Sequence, residues 1–226
     1  MVRNEAFLSK AEALKPKLIV AQKEIPGEDR VLKKGDEAVF DFGDHYVGYL
    51  TVDFESVGRH QDAPLYFERF GSREKVTRYM LFMPHESMAD SVETIENVLR
   101  RYETGRCYRW AIALAEDNSI IGIIELLKFD EEAGTCSFAY MIGDEFWGRG
   151  YGTQALKAAL GFGFEQMELN AVEADHMAAN PASGAVMRKA GMVQIRTDEG
   201  KYEKNGRIFD ATVYRITQEQ WESPIS

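Results

Sequence analysis

Residues Tyr140 to Gly163 read YMIGDEFWGRGYGTQALKAALGFG. An apolar run of strand type comes first, then glycines at 148, 150 and 152, then apolar residues at helical spacing. The chain must therefore turn from a strand into a helix within a few residues. The first N–H groups of a helix have no partner inside it, and the aligned peptide dipoles add positive potential there. A glycine-rich turn at that place lets a bulky anion approach the N–H groups without meeting Cβ atoms. The stretch is not a Walker loop, because no Lys-Ser or Lys-Thr pair ends it. A dinucleotide G-x-G-x-x-G fingerprint needs glycine at Tyr151 or Thr153. Spacing alone leaves two readings open, an anion cradle and a tight turn.

The flanking sequence supplies the layers around this turn. DAPLYFERF and MADSVETIENVLRRYETG have helical spacing, with Val92, Ile95, Val98 and Leu99 on one face and Gly105 as a stop. YRWAIALA, IIGIIELLKF and TCSFAYMIG, separated by turns at EDNS and DEEAG, predict a three-stranded meander. After the glycine turn and its helix come a strand at AVEADHMA, a short helix at PASGAVMRKAGM and a last strand at IFDATVYRIT. Upstream, AFLSKAEALKPKL predicts a short helix ended near Pro16, and IPGEDRVLKKGDE a loop. AVFDFG and YVGYLTVDFESV predict strands joined by a turn at GDH. Hairpins feeding a strand–helix–strand–helix unit predict an α+β (mixed α/β) sheet, not a regular doubly wound one.

The 226 residues suit one domain with an extension, or two small domains, and 45% apolar residues suffice for a core. A formal net charge of −10 makes the chain a poor general binder of nucleic acid. The same charge attracts cations such as amines, or serves solubility alone. Two cysteines, Cys107 and Cys136, are too few for a disulfide framework. With no signal peptide in the opening residues, a reduced, cytoplasmic setting is the simpler reading. No apolar run approaches the roughly 20 residues of a spanning helix. His45, His60, His85 and His176 do not cluster and no cysteine pair has ligand spacing, so no metal site is expected. There is no G-x-S-x-G elbow for a serine hydrolase.

Two motifs in order then carry a resemblance. WGRGYG is similar to the end of the Q/R-x-x-G-x-G/A phosphate loop of the GNAT superfamily of acetyl-CoA-dependent N-acetyltransferases, with Trp147 in place of the leading Gln or Arg. NPASGAVMRKAGM, Asn180 to Met192, matches the N-x-x-S-x-x-x-x-x-K-x-G pattern of the ribosomal-protein alanine acetyltransferase branch. YMIG resembles that branch's pantetheine strand, EKVTRYMLFMPHESMADSVE its early helices and NGRIFDATVYRITQEQW its closing hairpin. The likeness covers about residues 62–221. It implies a splayed central mixed sheet flanked by helices, plus a β-rich N-terminal extension.

By this resemblance acetyl-CoA is the co-substrate. Its pantetheine arm lies in the splay against main-chain groups of Met141 and Ile142, and its pyrophosphate meets a loop of Trp147, Gly148, Arg149, Gly150, Tyr151, Gly152 and Thr153. Gly148 permits the turn, Gly150 and Gly152 permit close approach, and Arg149 adds charge or is simply solvated. Trp147 and Tyr151 alternatively pack around the turn. Asn180 is placed to cap the short helix and to touch the cofactor arm, with Pro181 at its first position. Ser183 is the candidate for a hydrogen bond to the departing sulfur, and Tyr140 the alternative donor. Arg188 and Lys189 meet CoA phosphates or solvent. The implied reaction is direct attack of a primary amine on the thioester through a tetrahedral intermediate. It needs deprotonation of the ammonium, a main-chain N–H near Met141 or Ile142 for the oxyanion, and a weak acid for the sulfur.

Glu125 is the leading base candidate, a lone carboxylate in the apolar IIGIIELLKF. Its alternatives are a solvent-facing position or a pair with an arginine. Glu173 and His176 come next, and a relay through water needs no side-chain base. Ser137 stands where the branch often has a glutamate. The acceptor is a small amine or a protein N-terminus; no nucleic acid or membrane partner is expected, and a homodimer is compatible. A second functional reading is a non-catalytic acetyl-CoA sensor or scaffold.

The opening differs from that branch. KPKLIV and KKGDEAVFDFGDHYVGYLTVDFESVGRHQDAPLYF resemble a β-sandwich-type segment of bacterial α-L-rhamnosidase-like proteins. The two resemblances meet near Asp62 to Phe67, as in a gene fusion. The expected division is an extension at 1–58, supplying the first sheet strand, and an acetyltransferase domain at 59–226. About 60 residues cannot house a glycosidase site; carbohydrate binding is a third, weaker reading.

Overall fold

The computed structural model describes residues 49–51, 62–103, 107–114, 117 and 119–223. The helix, loop and first strand expected upstream lie outside them, as does Gly105. The described elements are β1 (Tyr49–Thr51), α1 (Ala63–Tyr66), α2 (Glu74–Thr77), α3 (Met88–Glu103), β2 (Cys107–Ala113), β3 (Ile120–Asp130) and β4 (Thr135–Ile142). They continue with α4 (Tyr151–Gly161), β5 (Ala171–Met177), α5 (Pro181–Lys189), β6 (Val193–Lys204), β7 (Arg207–Thr217) and α6 (Gln218–Glu222). Wider π turns at Phe67–Gly71 and Phe162–Gln166 prolong α1 and α4.

Seven strands form one sheet in the order β1-β2-β3-β4-β5-β7-β6. Every neighbouring pair is antiparallel except β4 with β5. Alternation along each strand sends side chains to two different cores. On one face Leu156 and Leu160 of α4 and Met187 of α5 pack with Trp110, Ile124, Leu126, Phe138, Val172 and Tyr214. On the other, Tyr66, Phe70, Val76 and Ile95 of the α1–α3 layer pack on Ile123 and Met141. Burying side chains of this size contributes about 1.5–3 kcal/mol each, so the strands are held from both faces.

The parallel pair is short. β4 and β5 are in register only at Thr135↔Ala171 and Cys136↔Val172. Beyond these, β4 stays with β3 up to Ile142, and β5 stays with β7 up to Met177. The strands therefore part toward their C-terminal ends. The closed end is pinned by Asn170, whose main-chain N–H donates to Gly134 O (2.7 Å) and whose side chain donates to Ala133 O (2.8 Å).

Two elements go beyond the sequence reading, α6 and β6. The twelve-residue β6 is an edge strand, exposed along almost its whole length. A strand with no buried face has no apolar alternation to display. Its signal was Asn205-Gly206, both with positive φ (54° and 67°), the two-residue hairpin turn that joins β6 to β7.

Candidate active site

β4 ends at Ile142, and Gly143 N–H donates to Ile121 O (2.9 Å). A single 3-10 turn at Asp144–Phe146 leads to Trp147. The indole N–H of Trp147 reaches back to Ile142 O (2.8 Å), tying the turn to the strand it leaves. Gly148 (φ +77°) and Gly150 (φ +85°) are left-handed, a conformation costly for other residues. A Cβ on Gly148 would meet nothing within 4 Å; one on Gly150 would meet only Gln154 Nε2 at 3.7 Å. Gly152 is small for another reason, because its Cβ would lie 3.3 Å from the Tyr140 ring and 3.5 Å from Ile142 and Val186.

The N–H groups of Gly148, Arg149, Gly150, Tyr151 and Gly152 have no acceptor among the described residues. Those of Thr153 and Gln154 both donate to Gly150 O, at 3.0 and 3.1 Å. This corrects the expectation for Thr153: the cradle of open donors ends at Gly152. Gln154, which sequence reasoning passed over, has a buried Oε1 with no partner among the described residues. A polar residue on the first turn beside the glycines was its only signal.

The edge of β4 along the splay follows from its ladder. Gly143 bonds to Ile121, so hydrogen-bonded pairing alternates to Ile123↔Met141 and Glu125↔Ala139. The main-chain groups of Met141 therefore point to β3, and a Cβ on Gly122 would fall 2.6 Å from Met141 O. Those of Tyr140 and Ile142 point into the gap. Of the two expected strand positions, Ile142 presents its N–H there, its C=O being held by Trp147, and Met141 presents neither group.

Tyr140 and Ser183 meet across the gap. Tyr140 leaves β4 on the α4–α5 face, and Ser183 sits at the third position of α5; Tyr140 OH lies 3.5 Å from Ser183 Oγ. Ser183 is buried, and burial raises the pKa of Tyr140 although Ser183 pulls the other way. Tyr140 thus stays a phenol, able to donate a proton, at neutral pH. Asn180 is the N-cap residue of α5 as expected, but its side chain makes no capping hydrogen bond; its C=O accepts from Ser183 N (3.2 Å).

Glu125 lies elsewhere. It shares the α1–α3 face with Ile123 and is clamped by Arg109, at 3.0 and 2.9 Å, and by Arg101 at 3.4 Å. Its carboxylate is paired with two guanidiniums, so the arginine-pair alternative holds here. Glu173 is likewise bound, by Arg196 at 2.7 Å and Arg215 at 3.4 Å. His176 Nδ1 lies 2.7 Å from Met177 O, a contact in which the ring nitrogen must donate; its Nε2 is buried against Gly184 with no partner among the described residues. Arg188 donates to the Tyr214 hydroxyl (2.8 Å), and Lys189 is exposed. Arg149 is exposed, with its guanidinium carbon 6.0 Å from the Phe146 ring centre. Both cysteines are buried and free, and burial pushes Cys136 up to about 12, which makes it inert. No group of three or more metal-ligating side chains occurs among the described residues. None of their helices is long and apolar enough to cross a membrane.

The model of the acetyltransferase (GNAT) domain matches residues 54–193. The chain belongs to the GNAT acetyltransferase family. It is an acyltransferase, built on the GNAT fold. Among relatives, the uncharacterized N-acetyltransferase p20 of Bacillus licheniformis is 24% identical over 159 residues, covering 68% of this chain and 86% of its own. YdaF of Bacillus subtilis (strain 168), provisionally named a ribosomal N-acetyltransferase, is 28% identical over 160 residues, 67% of this chain and 82% of its own. Spermidine N-acetyltransferase from Vibrio cholerae, solved with CoA and spermine, superposes with a TM-score of 0.66 at 19% identity, over 78% of this chain and 99% of that one. At that identity the likeness is one of fold. The model of the glycosyl hydrolase family 78 α-rhamnosidase N-terminal domain matches residues 7–76. The two matches overlap, and in the overlap Ala63, Tyr66, Phe70 and Val76 are core residues of the GNAT body. The family uses acetyl-CoA. The open N–H groups and the clear space over Gly148 and Gly150 fit its diphosphate.

Proposed function

We propose that this protein transfers the acetyl group of acetyl-CoA to a primary amine by direct attack. The observation that carries the reading is the row of open N–H groups at Gly148–Gly152, set at the wide end of the β4–β5 splay. These donors hold the diphosphate, with the Gln154 amide beside them. The gap-facing main chain of Tyr140 and Ile142 lines the pantetheine arm, and the Ile142 N–H is the donor for the oxyanion. Trp147 holds the turn and Arg149 adds charge at its rim.

The acceptor ammonium loses one proton to water before it attacks. Its nitrogen lone pair then forms the C–N bond to give a tetrahedral oxyanion, and collapse breaks the C–S bond as the nitrogen gives up its second proton to water. With Glu125 and Glu173 committed to arginines, both protons leave through water. The Tyr140–Ser183 pair returns a proton to the sulfur. The acceptor class is a small amine, polyamines included, or a protein N-terminus. We also assign residues 1–58 to an extension and 59–226 to the acetyltransferase domain.

The test is mass gain with acetyl-CoA across a panel of amines and N-terminal peptides. Transfer to one acceptor class supports the reading. Tight CoA binding with no transfer to any of them favours the sensor alternative.

A further inference from the structure

Lys204 ends β6 at the tip of the β6–β7 hairpin. Its ammonium reaches away from the hairpin and donates to three main-chain carbonyls of one segment: Thr77 O (2.7 Å), Met80 O (2.8 Å) and Phe82 O (2.9 Å). An ammonium has three N–H donors, and here each has an acceptor. Charge-assisted bonds of this kind are about twice as strong as neutral ones. The partners are 122 to 127 residues apart in sequence, so the contact joins parts of the molecule that nothing local brings together.

The two parts stand on opposite sides of the splay. The Thr77–Phe82 segment follows α2, which packs through Val76 on the side of β3 and β4. Arg73, just before α2, is bound to Asp144, two residues past the end of β4 (2.6 Å). The hairpin belongs to the other side: β7 pairs with β5 along its length, and Ala178 N–H, just past β5, donates to Asp210 O (2.8 Å). Both anchors lie at the C-terminal ends of the parting strands, where the gap is widest. Lys204 therefore closes a ring that runs from β4 through Asp144 and Arg73 to α2, across the carbonyl cage to the hairpin, and down to β5. The ring is on the α1–α3 face, opposite the Tyr140–Ser183 pair.

We propose that Lys204 is a positioning residue: its carbonyl-caged ammonium latches the segment after α2 to the hairpin tip, and so fixes the mouth through which the acceptor amine reaches the gap. The latch itself rests on geometry alone. Its service to the acceptor rests on the acetyltransfer reading above.

The test separates the two. Nitroxide labels on L81C and I208C sit on either side of the latch at exposed positions, while native Cys107 and Cys136 are buried and stay unlabelled. Pulsed electron resonance gives one narrow distance with Lys204 in place and a broader, longer one in K204M. An unchanged distribution in K204M overturns the latch. Kinetics follow with acetyl-CoA and two amines, spermidine and an alanine-initiated peptide. For whichever is acetylated, K204M raises the acceptor KM by roughly tenfold with kcat and the acetyl-CoA KM little changed, the pattern of lost positioning without lost chemistry. An equal fall in kcat for every substrate, or an unchanged acceptor KM, overturns the role at the mouth. If the unmodified protein acetylates neither amine, the functional reading falls and the label distance still decides the latch. If K204M does not fold, K204Q keeps two amide donors and carries the same readouts, with a smaller shift expected.

Discussion

Tyr140 and Ser183 are 43 residues apart, yet β4 and α5 bring their oxygens to 3.5 Å across the gap. Neither partner alone explains the site, because Ser183 orients the phenol that burial keeps protonated. Y140F should lower kcat about 10- to 100-fold, within the range of general acid catalysis, and leave CoA affinity unchanged. Steady-state kinetics beside a CoA titration checks this. S183A should cost less, and the double variant little more than Y140F, since the two act as a unit. Both residues were singled out in sequence through the motifs that carry the family resemblance, and their meeting across the gap was not visible there. Sequence left Glu125 open between a base and the partner of an arginine, because a lone carboxylate in an apolar strand reads the same either way. Arg109 is one strand away in space and sixteen residues away in sequence.

At the scale of elements, the glycine turn was legible because strand, glycines and helix follow one another in the chain. Which N–H groups stay open was not, since that depends on Gly150 O capturing both Thr153 and Gln154. G150A should cost about 1–2 kcal/mol for its left-handed backbone and weaken CoA binding further by placing a Cβ in the cradle. Melting and CoA titration on the same variant separate the two effects. The turn is also tied to α2 through Arg73 and Asp144, a contact no local pattern announces. The Arg73 hydrogen bond holds Asp144 below the ordinary carboxylate pKa. A depressed folded pKa means that this stabilisation is full above the unfolded value and lost as pH falls through the folded one. Melting temperatures measured from pH 6 down to about pH 2, a span that brackets the reference value near 3.9, should fall less steeply in D144N. An identical acid limb would remove Asp144 from the account.

For the whole molecule, the order β1-β2-β3-β4-β5-β7-β6 puts the one parallel pair among the described strands in the middle of the sheet and breaks it after two residue pairs. The strand–helix–strand pattern was readable from periodicity, and the splay was implied only by the family resemblance. The exposed edge strand β6 escaped, having no buried face to write its pattern. The N-terminal match to a glycosidase accessory domain ends inside the GNAT core, and β1 pairs with β2 in the register Tyr49↔Ala113 to Thr51↔Ala111. A chain beginning near residue 46 should keep CoA binding, whereas one beginning at 62 strips β1 from β2 and should aggregate through that bared edge. Light scattering and CoA titration on both chains check the difference.

Amide hydrogen exchange followed by NMR, with and without CoA, reads the donors themselves. Slowed exchange should appear at Gly148–Gly152 and at Tyr140 and Ile142, while Thr153, already bonded to Gly150 O, stays as it was. If CoA binds and those amides keep their free-state exchange rates, the cradle at this turn is wrong.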